Sequence, residues 1–118
     1  MKTKDKHAIL KRLKEFRFHN VNIIDKKGIK KKLRHPAYVF VEKGNVYIYV
    51  IITHSSYVEE KIVVKLRRNP NPNDNSDAYY IAEVKSDTKD SFGHRNKGWK
   101  LDESDDIDIR KLFENKKR

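Results

Sequence analysis

The chain has 118 residues, enough for one compact domain, and carries 28 Lys and Arg against 17 Asp and Glu, a formal net charge of +11. Hydrophobic residues make up 36% and charged residues 38%, so the core is modest and little stability is in surplus. No apolar run approaches the roughly 18 residues of a membrane span, the start M-K-T-K-D-K-H has no apolar leader segment, and the absence of cysteine excludes disulfides, thiolate metal sites and thiol nucleophiles. These features predict a cytoplasmic protein with no membrane partner.

In chain order, the first expected element is a helix over residues 5–16, where Ile9, Leu10, Leu13 and Phe16 make one apolar stripe beside Lys6, Lys11, Lys14 and Glu15. Residues 21–24 read as a short strand, ended by a Lys-Lys-Gly turn at Gly28. Residues 37–42 and 45–53 are β-rich runs separated by Lys43-Gly44, a tight hairpin signal that sets residue 35 opposite residue 52. Tyr47, Tyr49 and Ile51 alternate with Val46, Ile48, Val50 and Ile52, so this strand is expected to be covered on both faces. Residues 61–67 predict a further strand with Ile62, Val64 and Leu66 on one face.

The run N-P-N-P-N-D-N-S-D over residues 69–77 cannot continue a helix or a central strand and reads as an ordered loop. Residues 78–84 form the next strand, with Tyr79 and Tyr80 pointing to opposite faces. Residues 87–100 are polar, with Phe92 and Trp99 as anchors. Asp102 caps a final helix whose apolar face is Ile109, Leu112 and Phe113. The expected organisation is a single α+β domain over residues 1–118. It comprises a basic helical segment (1–34), a small antiparallel, curled β-sheet or barrel (35–100) and a carboxyl-terminal helix (101–118).

The positive charge is unevenly placed. Residues 1–34 hold 13 basic and 3 acidic side chains, residues 35–68 hold 5 and 3, and residues 69–118 hold 10 and 11. The densest stretch is Lys26, Lys27, Lys30, Lys31, Lys32 and Arg34, a footprint that attracts polyanions and predicts RNA or DNA as a partner. Arg95 and Trp99 sit in segments that interleave aromatic and basic residues, a combination able to stack bases and contact phosphates. A lone Trp in a small domain also serves as a core anchor.

The sequence has no Gly-rich phosphate loop, no H-E-x-x-H and no nucleophile elbow. His7, His19, His35, His54 and His94 lack metal-ligand spacing, so neither a metal nor a cofactor is expected. The predicted hairpin would gather Arg34, His35, Thr53 and His54 at one end of the sheet. Such a group suits metal-free RNA cleavage, with His as acid or base, Arg on the phosphate and Thr as a hydrogen-bond donor. It is equally an ordinary polar strand end.

R-H-P-A-Y-V-F, a turn, and Y-I-Y-V-I-I-T-H-S resemble the central hairpin of the PemK/MazF/ToxN-like toxins. The resemblance covers about twenty residues. It implies an SH3-like barrel with helical additions, metal-independent cleavage of single-stranded RNA, a homodimer, and an acidic antitoxin-like partner. Thr53 would match the family's strand-end Thr and Arg34 would approximate its catalytic Arg. The family has Arg directly before the proline, whereas His35 holds that place here and Arg34, one residue earlier, belongs to the opposite strand face. The alternatives are a non-catalytic nucleic-acid-binding or adaptor protein of a mobile genetic element, and a module that binds an acidic protein. A RelE/barnase-like ribonuclease fold would instead place a site at Lys65, Arg67, His94 and Arg95.

Overall fold

The computed structural model describes residues 9–116. It is a small antiparallel sheet of seven strands with one carboxyl-terminal helix. The strands are β1 (Leu10–Ile24), β2 (Lys30–Lys43), β3 (Val46–Thr53), β4 (Val63–Lys65), β5 (Tyr79–Ile81), β6 (Lys85–Thr88) and β7 (Phe92–Arg95), followed by helix α1 (Glu103–Lys116). Their order is β4-β5-β3-β2-β1-β7, with β6 pairing β3 beside β5, and the sheet does not close. A 3-10 turn over Lys89–Ser91 joins β6 to β7. These two strands pair with β3 and β1, on opposite sides of the β1-β2-β3 meander, so the chain crosses one of its faces.

β3 and the inner half of β2 are covered on both faces because they are apolar on both. Phe16, Tyr38, Ile48, Val50 and Ile52 form the larger core with Leu66, Tyr80, Leu101 and Ile109, against which Leu112, Phe113 and Trp99 pack. Ala37, Val39, Tyr49 and Phe92 form the smaller one on the other face. The alternation expected for residues 46–52 is thus observed, as are the covered β3, the ordered Asn-Pro loop and the anchoring of Phe92 and Trp99. In the loop, Asn69, Asn71 and Asp74 accept hydrogen bonds from the backbone N–H groups of Asn71, Asn73 and Ser76 at 2.9–3.0 Å.

The carboxyl-terminal helix also forms as expected. Its cap is Asp102, whose Oδ1 accepts the Ser104 N–H at 2.9 Å.

The amino-terminal helix is the main correction. Of the helix expected over residues 5–16, residues 5–8 lie outside the described residues, and from Leu10 onward the chain is strand β1. Leu13 packs into the smaller core and Phe16 into the larger one, on opposite faces of a strand covered on both, so their spacing imitates a helical stripe. Residues 10–24 and 30–34 are therefore strand, not helix. β2 begins at Lys30 and runs unbroken through the expected boundary at residue 35. The strands expected over residues 61–67 and 78–84 shorten to Val63–Lys65 and Tyr79–Ile81, and Ile62 is exposed.

Two adjacent aspartates fasten α1 to the sheet. The Asp106 carboxylate, 1% exposed, accepts hydrogen bonds from Tyr38 Oη at 2.6 Å and Arg110 Nε at 2.9 Å, with Arg12 at 3.4 Å. Arg110 also donates to the Phe40 and Leu13 carbonyls at 2.7 and 2.6 Å. Asp105 accepts both the backbone N–H of Arg67 at 2.9 Å and its guanidinium at 2.6 Å. Burial disfavours the charged form of Asp106, but the hydrogen bonds from Arg110 and Tyr38 outweigh it and hold the carboxyl below its ordinary range. Asp106→Ala leaves Arg110 uncompensated and is expected to cost about 3–5 kcal/mol in denaturant melts. Glu103→Gln, which breaks the exposed pair with Lys14, is expected to cost less than about 1 kcal/mol.

Candidate nucleic-acid interface

The β1–β2 hairpin outruns the rest of the sheet. β7 pairs with β1 at Arg17 and His19, and β3 pairs with β2 from Ala37 to Lys43. Between these limits and the turn, Asn20↔Arg34, Val21↔Leu33, Asn22↔Lys32, Ile23↔Lys31 and Ile24↔Lys30 pair with no third strand on either edge among the described residues. At about 3.3 Å per residue, these five positions make a two-stranded arm of roughly 13 Å before its turn. Apart from Asn20, Val21 and Asp25, which are partly covered, the arm side chains described are exposed.

The turn at the arm's tip is held from within. Asp25 Oδ1 accepts the backbone N–H groups of Lys27 and Ile29, both at 2.9 Å, and the Asp25 carbonyl accepts that of Gly28. Gly28 has φ +80°, the left-handed conformation that closes such a three-residue turn. Lys26 and Lys27 stand at the tip. Lys30, Lys31 and Lys32 run down one strand and line, with Asn22 and Ile24, a hollow of about 510 Å³. All five lysines singled out in the sequence therefore belong to one protruding element.

Arg34, Trp99 and Arg95 join the arm to the body. The Arg34 guanidinium lies 4.8 Å from the centre of the Phe18 ring, and Phe18 meets Trp99 edge-on at 6.4 Å. Trp99 also packs on Phe16 at 5.6 Å, and it lines a hollow of about 370 Å³ with Lys14, Arg95, Lys97 and Lys100.

The predicted cluster of Arg34, His35, Thr53 and His54 is divided. The turn falls on Gly44 and Asn45, with Lys43 opposite Val46, and a bulge at Phe40 then shifts the ladder so that Ala37 faces Ile51. By that register His35 and Thr53 belong to one face and Arg34 and His54 to the other. β3 turns away at this point, Thr53 pairing with Tyr79, and His54 Nε2 meets Asp74 at 3.2 Å. No hydrogen bond, ion pair or ring contact joins Arg34 or His35 to Thr53 or His54. The RelE-like set is separated as well. Lys65 and Arg67 are paired with Asp77 and Asp105 beside β4, while His94 and Arg95 lie on β7 at the other end of the strand order. Among the described residues, no group of three or more His, Asp or Glu is placed to hold a metal ion, and no helix is long and apolar enough to cross a membrane.

A polar cluster that the sequence did not single out lies under the crossing of β6 and β7. His19, paired with His35 across the β1–β2 ladder, is 4% exposed between the rings of Tyr49 and Phe92, each centred 4.8 Å away. Its Nε2–H donates to Asp87 Oδ2 at 2.9 Å, and the Tyr49 oxygen lies 3.2 Å from the same nitrogen. The His19 hydrogen bond holds the Asp87 carboxyl below its ordinary range, assisted by the Thr88 N–H. Burial pushes the Tyr49 phenol up to about 12, with Asp87 and Glu83 adding to the effect. The only sequence signal for this site is His19 at an inward position of a strand, and the helix-like spacing just before it conceals that strand.

Compared with family models, with curated proteins and with solved structures, the chain matches none.

The phenol proton of Tyr49 is held more tightly in the folded chain than in the unfolded one, where it leaves near pH 10. Its contribution to stability is complete below pH 10 and is lost as pH rises towards 12. Thermal melts from pH 8 to 11.5 are expected to show Tm falling above pH 10. In Tyr49→Phe the fall should be shallower, and parallel curves would remove Tyr49 as a cause.

Proposed function

We propose that this chain is a nucleic-acid-binding protein whose contact surface is the β1–β2 arm together with the Arg34–Phe18–Trp99 junction at its base. The observation that carries the reading is the placement of Lys26, Lys27, Lys30, Lys31 and Lys32 on one protruding hairpin that has no third strand on either edge among the described residues. Lysines scattered for solubility would spread over the body. Here they are gathered where a polyanion can reach them from several sides, and their counterions are released when it does. Lysines on a free edge also guard against strand-to-strand association, a role compatible with binding. Residues 69–118 do not offset this charge, because their 11 acidic groups are matched by 10 basic ones, and Asp87, Asp105 and Asp106 are engaged with His19, Arg67 and Arg110.

The test is salt-dependent binding. Fluorescence anisotropy with a labelled oligonucleotide is expected to give an affinity that falls steeply with ionic strength. Replacing the five lysines with Gln should flatten the slope of log K against log salt by up to about 4.5, near 0.9 for each phosphate that is no longer neutralised. Binding indifferent to salt in both proteins would sink the reading.

A second reading is a metal-independent ribonuclease of the PemK/MazF/ToxN-like type acting on single-stranded RNA in the cytoplasm, as a homodimer restrained by an acidic antitoxin-like protein. It is supported by the β6, 3-10 turn, β7 crossing, which suits an SH3-like barrel, and by His35 lying across the ladder from the His19–Asp87 pair. In this form His35 and Thr53 act on one face, and Arg34 on the other face serves binding alone. Purified protein incubated with mixed single-stranded RNA and a chelator should then cleave it, and His35→Ala should abolish cleavage while leaving the melt unchanged, since His35 is exposed. Intact RNA with the unaltered protein leaves only the binding role.

A further inference from the structure

The arm's shape and its side chains narrow the class of nucleic acid. The following rests on the nucleic-acid reading above. Five paired positions with both edges bare make a ribbon two strands wide and roughly 13 Å long, against a B-form major groove about 12 Å wide and 8.5 Å deep that admits such a ribbon. The major groove of A-form RNA is deep and too narrow for side chains to read.

Side chains paired across the ladder share a face, and on one face of the arm Asn20 sits with Arg34 and Asn22 with Lys32. Asn is the side chain that pairs with the N6 and N7 edge of adenine, and Lys or Arg the one that pairs with O6 and N7 of guanine. Here each Asn faces a cation across the ladder, and the two pairs stand about 7 Å apart along the strands. Lys26 and Lys27 at the tip are placed for the phosphates that flank a groove.

The aromatic side chains at the base favour a duplex over a single strand. Binding of single strands relies on open ring faces for bases to stack on. Phe18 instead carries Arg34 on its ring, and Trp99 is packed against Phe16 and Phe18. The tip needs no reorganisation to enter a groove, because the Asp25 carboxylate already holds the amides of Lys27 and Ile29.

We propose that the β1–β2 arm inserts into the major groove of B-form duplex DNA, with Asn22, Lys32 and Arg34 at the base edges. Anisotropy titrations of the full chain would compare four probes at one salt concentration. These are a random-sequence 20-base-pair DNA duplex pool, the same pool built from 7-deazapurines, a random RNA duplex pool and a random single-stranded DNA pool. The DNA duplex is expected to bind about tenfold more tightly than the RNA duplex or the single strand. Removing the purine N7 acceptors should weaken it about fivefold or more. The double variant Asn22→Ala, Lys32→Ala alters two exposed residues and should show a clearly smaller difference between the normal and 7-deaza pools, since Arg34 alone then remains to read N7. Equal affinity of the unaltered protein for the two DNA pools, or tighter binding of RNA or single strands, overturns groove insertion and leaves the nucleic-acid reading intact. Binding to none of the four overturns both.

Discussion

Everything in this molecule hangs on one ladder, the thirteen paired positions that join β1 to β2. Its inner half is the middle of the sheet, with Phe16 and Tyr38 sealed under the helix and Ala37 and Val39 under the β6–β7 crossing. Its outer half has no neighbouring strand among the described residues. A free two-stranded hairpin is marginal in water, and sliding by one residue would exchange its faces. The arm keeps its register because the same two strands are pinned a few residues away by buried aromatic side chains. The body therefore acts as a clamp, and the exposed ribbon inherits an order that its own lysine-rich sequence could not supply.

The second organising feature is the segregation of charge. Two acidic groups, Asp105 and Asp106, are buried under the helix, and a third, Asp87, is partly covered against His19, each with a cation or a ring N–H to satisfy it. Basic groups are thrown outward, with the densest set of them on the arm. The strongly positive surface follows from the excess of Lys and Arg over Asp and Glu and from the gathering of the densest set on the arm.

Much of the central architecture was legible in the sequence. Apolar residues on both faces of residues 46–52 announced a covered strand, Gly44 announced the turn, and Asp102 followed by an apolar stripe announced the helix. Two things misled. Leu13 and Phe16, buried on opposite faces of one strand, imitated a helical stripe, and the bulge at Phe40 moved the register by enough to divide the polar group at the far end of the hairpin. The lysine cluster was visible, but that it projects as a ribbon was not, since its strand partners follow directly on the segment whose spacing imitates a helix. His19, Asp105 and Asp106 were hidden for a different reason. A buried polar side chain becomes recognisable only when its partner is known, and the partners here lie 68, 38 and 4 residues away.

The carboxylate of Asp25 has a consequence for the speed of recognition. A loop that must search for its shape after meeting a partner loses encounters to that search, and much of its intrinsic attraction goes into ordering the chain. In this protein the search at the tip ended during folding, when two amides closed onto one side-chain oxygen. In the nucleic-acid reading, Lys26 and Lys27 would therefore present their charge from a backbone that is already ordered.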